Sequence, residues 1–249
     1  MKVIFIAAGH GSRLKPETKD IPKPLVEING SSILQRQVSL FQKHGIDDIL
    51  IIVGPEKEKF NLKNVRYIYD IDFDKHEQLG SLMTAKSEIN NDVIILFADI
   101  LFDEQILNQI LQSTADITIA LDLDWEKSYL ERTDNSSSEA DKILIKNGEI
   151  IKISKNINSH NIDENVGEFL GLLKLSNLGS DIFTEMYENL LENHEGKFHD
   201  AVSFTNAKLL DFLQEILESN QKLTPISVKG KWCEIDTPLD LKRARKLFV

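Results

Sequence analysis

The sequence predicts an α/β fold built on a mixed, mostly parallel central sheet, and three observations carry that expectation. Short Val- and Ile-rich runs alternate with amphipathic helical stretches through the first half of the chain. The first of these runs passes directly into a glycine-rich loop. The chain has 249 residues, enough to bury a substantial core as one large domain, although two small ones would also fit the length.

Taken in order, residues 2–7 read as a strand buried on both faces, because the run is apolar without alternation. Ser32 and Gln35 have capping-box spacing, and Ile33, Leu34, Val38 and Phe41 form a helical stripe that stops at Gly45. Residues 48–53, 65–69, 93–97 and 117–123 read as further strands, with helices near 81–89 and 103–112. The pattern changes after Leu123: residues 131–141 are rich in Ser, Asp and Glu and read as a mobile loop. Residues 143–146 and 149–154 flank Asn147-Gly148, a favourable two-residue turn, and predict a small β-hairpin. A polar loop at 156–165, a strand at 169–175, helices at 178–191 and 201–217, a strand at 232–235 and a closing helix from Pro238 complete the expectation.

Composition narrows the partners. With 40 acidic against 29 basic side chains the net charge is -11, which disfavours nonspecific nucleic-acid binding and leaves small molecules as the expected partners. A single cysteine, Cys233, supports neither an internal disulfide nor a four-cysteine metal site, so a buried thiol in the reducing cytoplasm is expected. No apolar run approaches the roughly 18 residues that span a bilayer, and the N-terminus lacks signal-peptide character, so no membrane partner is expected.

The chemistry begins at Ala7-Ala8-Gly9-His10-Gly11-Ser12-Arg13-Leu14, where missing side chains let backbone N–H groups approach phosphate. Leu14 stands where a dinucleotide fingerprint needs its third glycine, and no Gly-Lys-Ser/Thr follows as in a P-loop. Alone the turn is weak, but Ile21-Pro22-Lys23-Pro24-Leu25 follows closely. Together the two segments resemble the signature of the nucleoside-triphosphate transferase family, and Val26-Glu27-Ile28-Asn29-Gly30 continues the likeness.

That resemblance implies a Rossmann-like, three-layer nucleotide-diphospho-sugar transferase fold, a single domain over 1–249 with a nucleotide-binding half at 1–124 and an acceptor-binding half at 125–249. It implies phosphate contacts from Ala7, Ala8, Gly9, Gly11 and Ser12, with Arg13 and Lys23 as the catalytic cations. Both cations suit the need, since a phosphoryl acceptor adds about -1.5 to -2 of charge to an already anionic triphosphate. Two side chains do not neutralise that much, so Mg2+ is expected as cofactor. Asp99 follows the strand at 93–97, where open α/β sheets place ligands, and Asp236 sits at a strand-to-helix junction capped by Thr237. Turn or capping roles would suffice for either alone; their match to the family's two metal aspartates favours metal binding. Gln78, Gly80 and Ser81 fall where relatives have a nucleotide-contacting turn.

Within the family the chain is most similar to short cytidylyltransferases of the 2-aminoethylphosphonate or choline-phosphate type, through Ile153-Ser154-Lys155, residues 167–172, Phe198-His199-Asp200-Ala201 and Glu234-Ile235-Asp236-Thr237. The likeness implies that Lys155 neutralises the acceptor's phosphoryl or phosphonyl group and that Glu168 faces its amine or another polar group, while Trp125, among Asp122, Asp124 and Glu126, suggests part of an aromatic and acidic cage for an ammonium group. Solvated or packing roles remain open for all three. The implied reaction transfers CMP from CTP to a small phosphonate or phosphate acceptor with release of pyrophosphate. A sugar-1-phosphate nucleotidyltransferase using UTP, dTTP or GTP is the nearest alternative, and a nucleotide sensor without turnover is the alternative from another class. A homodimer is compatible with the sequence but not read from it.

Overall fold

Apolar runs without polar alternation become the buried middle of a sheet. The computed structural model describes residues 1–9, 11–15, 17–19, 21–130, 132, 135–157 and 161–249, with the Ser12 side chain also outside the description. Strand β1 (Lys2–Ala7) enters the glycine-rich loop, and a small hairpin of β2 (Glu27–Ile28) and β3 (Ser31–Ser32) leads into helix α1 (Ile33–Lys43). Then come β4 (Ile49–Val53), β5 (Arg66–Tyr69), α2 (Gln78–Met83), β6 (Val93–Phe97), β7 (Ile100–Phe102), α3 (Glu104–Leu111) and β8 (Ile117–Asp122). The second half supplies α4 (Glu126–Tyr129), β9 (Lys142–Lys146), β10 (Glu149–Ile153), β11 (Glu164–Leu175) and α5 (Asn177–Asn193). Helix α6 (Leu209–Glu218), β12 (Thr224–Ser227), β13 (Trp232–Glu234) and α7 (Pro238–Leu247) close the chain.

The main sheet runs β10-β9-β11-β6-β1-β4-β5, with β8 beside β11 and β12 beside β8. Strands β6, β1, β4 and β5 form a parallel core, while β11 runs antiparallel to β6, β8 and β9. Strand alternation sends neighbouring side chains to opposite layers. Val3 and Phe5 join Leu34, Val38 and Phe41 of α1 and Ile106, Leu107 and Ile110 of α3 in one cluster. Ile4 joins Leu79 of α2, Phe183 of α5 and Phe212 of α6 in another. The result is three layers, helices on both faces of a mixed sheet. A third cluster, holding Leu14, Ile33, Cys233, Ile235 and Leu241, lies beneath the glycine-rich loop. Cys233 is there the buried thiol that the sequence predicts.

Local signals act as expected at several points. Ser32 caps α1 by accepting from Gln35 N at 3.1 Å. Asn147 and Gly148 take φ of 52° and 82°, the left-handed pair a tight hairpin needs. Elsewhere tertiary packing overrides them. Helix α2 begins at Gln78, three residues before the expected start, and gives way to a short 3-10 turn at Lys86–Glu88. The helix expected from 201 begins at Leu209, because the Asp211 carboxylate accepts from Lys208 N at 2.8 Å and fixes the start there. Strand β11 begins at Glu164, inside the expected polar loop, where Glu164 and Asn165 pair with Lys146 and Ile145; residues 158–160 of that loop lie outside the description. In the segment expected to be mobile, Arg132, Asn135 and Ala140 are buried and Ser137–Glu139 forms a 3-10 turn; residues 131, 133 and 134 lie outside the description. Arg132 is anchored by Asp240, which polar composition alone could not reveal.

Strand β11 bends where its register against β8 shifts between Phe169 and Leu173. Gly171 stands inside that bulge with φ 73°, and a Cβ there would lie 2.3 Å from the Phe97 ring. Gly171→Ala is therefore expected to destabilise the protein by about 1–3 kcal/mol, read by urea unfolding. An unchanged midpoint would show that the bulge tolerates a side chain.

Candidate active site

The site forms where three chain segments end together. The first is the loop after β1. Gly11 takes φ 59°, and a Cβ on it would lie 2.7 Å from Lys23 Cβ, so the missing side chain lets the Lys23 segment close against the loop. Thr18 Oγ1 donates to Gly11 O at 2.9 Å. The second segment is the end of β6, where Ala98 N donates to Ile6 O at 3.1 Å and brings Asp99 beside the loop. The third is the β13-to-α7 junction. Ile235 N donates to Asp99 O at 3.1 Å, which ties that junction to the second segment.

A capping box holds the junction. Asp240 Oδ2 accepts from Thr237 N and Thr237 Oγ1, both at 2.9 Å, and from Asp236 N at 3.2 Å. The Arg132 guanidinium lies 2.7 Å from the other oxygen, Asp240 Oδ1. Asp236 is thus presented from a turn held by its own capping box and by Arg132.

Lys23 is the meeting point. Its ammonium lies 2.7 Å from Asp99 Oδ2 and also bonds Asp236 Oδ1, while Arg13 Nη1 lies 3.0 Å from Asp236 Oδ2. Lys23 is only 8% exposed. Burial works against its charge, but Asp99 and Asp236 outweigh that and raise its pKa above the usual lysine value. Burial likewise opposes charge on Asp236, yet Lys23 and Arg13 hold that carboxyl below the ordinary range. Glu234 joins Asp99 and Asp236 with donor oxygens within 4.8 Å of one another. Burial and the two neighbouring carboxylates push Glu234 upward. Asp99 Oδ1 is buried without a hydrogen-bond partner. A donor set made only of oxygens, with one buried oxygen unpartnered, fits a hard divalent cation.

A cleft of about 670 Å³ runs from this cluster past Gln78 and Ser81 to Lys155 and Glu168, and an adjoining cavity of about 490 Å³ reaches Ala7, Gly11 and Lys23. Ala8 and Gly9 line the main cleft. Gly80 does not; a Cβ on it would lie 2.8 Å from the His76 ring, so its role is to seat that histidine, itself in the cleft wall. The Ser81 hydroxyl is engaged, donating to buried Asp70 at 2.8 Å. At the far end Lys155 lies 3.2 Å from Glu139 and 3.8 Å from Asp141. Glu168 is 4% exposed, accepts from the Tyr129 hydroxyl on Oε1, and has no hydrogen-bond partner on Oε2. Burial pushes its carboxyl up to about 7.

Trp125 departs from the expectation. It is 5% exposed, donates its ring N–H to Val166 O at 3.0 Å, stacks edgewise on Tyr129 and does not line the cleft. Packing and a backbone hydrogen bond replace the expected cage contact. The sequence reading also passed over Glu234 and Lys208, both in the cleft wall. Glu234 was findable as an acidic residue at the end of the expected strand, two residues before Asp236. Lys208 carried no local signal.

A cationic loop facing clustered carboxylates across the end of a parallel sheet is the arrangement of an enzyme that handles phosphoanhydrides. The chain belongs to the family of the MobA-like NTP transferase domain, whose model matches residues 3–127, and it is a nucleotidyltransferase. It is 30% identical over 255 residues to a CTP:phosphoglutamine cytidylyltransferase of Campylobacter jejuni, covering 97% of this chain and 98% of that protein. It is also 30% identical to the bifunctional protein GlmU of Methanococcus vannielii, where all of this chain corresponds to 55% of the relative. The structure of a CTP:phosphocholine cytidylyltransferase from Streptococcus pneumoniae shares the fold, with TM-score 0.73 at 20% identity over 100% of this chain and 99% of that one. Among the described residues no helix is long and apolar enough to cross a membrane.

Because Lys23 and a cation would share the same carboxylates, Lys23→Met should cost about 3–5 kcal/mol in metal-free buffer and gain more from added Mg2+ than wild type. Asp236→Asn should respond less than wild type. Thermal denaturation with and without Mg2+ measures this, and equal shifts in all three proteins would place any bound metal elsewhere.

Proposed function

We propose that this nucleotidyltransferase transfers CMP from CTP to a small phosphonate or phosphate acceptor carrying a cationic amine, with release of pyrophosphate. The observation that carries the proposal is the convergence of Lys23 and Arg13 with Asp99 and Asp236 at one end of a cleft whose other end holds a buried carboxylate oxygen, Glu168 Oε2, without a hydrogen-bond partner. The choice of CTP is supported by the nearly full-length likeness to a cytidylyltransferase.

In this reading the loop of Ala7, Ala8, Gly9 and Gly11, with the Ser12 backbone, receives the triphosphate, and Gln78 and Ser81 border the nucleoside. Gly80 acts through His76 rather than by contact. An ionised acceptor oxygen attacks the α-phosphorus in line, and the bond to the bridging oxygen of pyrophosphate breaks. No general base is needed, since the attacking oxygen already lacks its proton at neutral pH. Lys23 offers its charge to the α-phosphate and the incoming acceptor, and Arg13 offers its charge to the departing pyrophosphate. Asp99 and Asp236, with Glu234 beside them, would hold Mg2+. That ion supplies neutralisation of the phosphate oxygens and a fixed template.

Lys155 is assigned to the phosphoryl or phosphonyl group of the acceptor. Glu168 Oε2, buried without a hydrogen-bond donor, calls for an N–H-bearing cation. A primary ammonium supplies such donors and a quaternary one does not, so the 2-aminoethylphosphonate type fits this end better than the phosphocholine type.

A panel of CTP, UTP, dTTP and GTP, each paired with 2-aminoethylphosphonate, phosphocholine and sugar 1-phosphates, tests this by pyrophosphate release. Turnover is expected with CTP and an amine-bearing acceptor; preference for UTP, dTTP or GTP with a sugar 1-phosphate would overturn it. The pH dependence is a separate expectation. The Glu168 carboxyl titrates near 4.5 when unfolded and about 7 when folded, so the protonated form favours the fold. Its stabilising contribution is full below pH 4.5 and is lost as pH rises to about 7. Glu168→Gln should therefore be the more stable protein above pH 7, by up to about 3 kcal/mol, with the gain fading below pH 5. Its acceptor KM should rise and lose the fall that wild type shows as Glu168 ionises. Parallel pH profiles of unfolding and of acceptor KM check both.

A further inference from the structure

The acceptor end of the cleft contains a second cation with different surroundings from Lys155. Lys155 is already matched by Glu139 and Asp141. Lys208 is half-buried and lines the same cleft; its ammonium makes no direct hydrogen bond or salt bridge among the described residues, although it lies near enough to Asp141 to favour that carboxylate's charged form. The backbone around it is fixed. Lys208 N donates to Asp211 Oδ2 at 2.8 Å and Asp200 N donates to Asp211 Oδ1 at 3.3 Å, so the segment that starts α6 holds the side chain at the cleft wall. A side cavity of about 350 Å³ shares Glu77, Lys155 and Lys208 with the main cleft and continues to Ala201, Asn206 and Leu210. There is thus room beyond the reacting end, and the mouth of that room is flanked by two ammonium groups.

A half-buried ammonium held only by the longer-range attraction of Asp141 has given up hydration that a direct contact with an anion would replace. The acceptor's phosphoryl group is the anion assigned to Lys155. A second cation a short way along the wall asks for a second anionic group on the same molecule. Glu168 Oε2 in the same wall, buried without a hydrogen-bond partner, asks for an ammonium. Resting on the cytidylyltransferase reading above, we propose that Lys208 binds a carboxylate of the acceptor, so that the substrate class is a phosphorylated or phosphonylated amino acid rather than a simple amino alcohol phosphate. Lys208 is then a binding residue that sets specificity, and the side cavity receives the amino-acid end.

Two probes isolate the carboxylate. O-phospho-L-serine and O-phosphoethanolamine share the phosphoryl group and the primary amine and differ by that carboxylate alone. Their kcat/KM values, and their binding to the CTP-loaded protein by calorimetry, are measured in wild type, Lys208→Met and Lys208→Arg. Wild type is expected to prefer O-phospho-L-serine by at least about tenfold, the worth of one charge-assisted contact. Lys208→Met should remove that preference by weakening O-phospho-L-serine alone, and Lys208→Arg should restore most of it.

Equal handling of the two probes by wild type, binding of neither to the CTP-loaded protein, or an equal loss for both in Lys208→Met would overturn the proposal; the last outcome would assign Lys208 to the phosphoryl group. Calorimetry with CTP alone separates this from failure of the underlying reading. A protein that does not bind CTP refutes the cytidylyltransferase, whereas one that binds CTP without discriminating the probes refutes only the carboxylate site.

Discussion

The buried ammonium of Lys23 is the constraint on which the site depends. An ammonium taken out of water costs several kcal/mol unless carboxylates meet it closely. Here Asp99 comes from the end of a central strand and Asp236 from the far C-terminal junction, so a single charge ties together segments more than two hundred residues apart in sequence. The cost of burying Lys23 therefore becomes a geometric demand on the whole corner. The loop must approach closely, which Gly11 allows, and the junction must hold its turn, which the Thr237 and Asp240 capping box and Arg132 enforce. The carboxylates that counter the Lys23 charge are the ones proposed to hold the metal, so the corner can be assembled before any ligand arrives.

The cleft holds charges of both signs at each end although the chain as a whole is strongly acidic. Near β1, Arg13 and Lys23 meet the carboxylates of Asp99 and Asp236, with Glu234 beside them. Farther along, Glu168 and Asp141 alternate with Lys155 and Lys208. Net charge thus speaks to nonspecific partners, while the pocket is decided by a few side chains in a low-dielectric wall.

Much of this was legible in sequence because it was local. The strand-to-glycine-loop transition, the Pro-Lys-Pro segment and the Thr237 cap each depend on neighbours in the chain, and Asp99 could be placed by following a strand to its end. Contacts between distant segments were not legible. Arg132 sits in a polar stretch that looked mobile and is anchored by Asp240, more than a hundred residues away. Trp125 among acidic neighbours suggested a cage, yet its ring N–H is taken by the Val166 backbone. The late start of α6 depended on which group Asp211 would cap, and that depends on packing rather than propensity.

Strand β11 has a consequence for the two halves marked by residues 1–124 and 125–249. It comes from the second half but lies between β6 and β8 of the first, bonded to both. Cut at that boundary, the first fragment would carry two bare strand edges with no strand between them, and the second a twelve-residue strand paired with β9 only over Glu164–Glu168 and bare beyond. The halves are therefore interleaved, like a tongue set in a groove. Opening and closing of the cleft must come from its loops, since a hinge between the halves would have to tear the sheet.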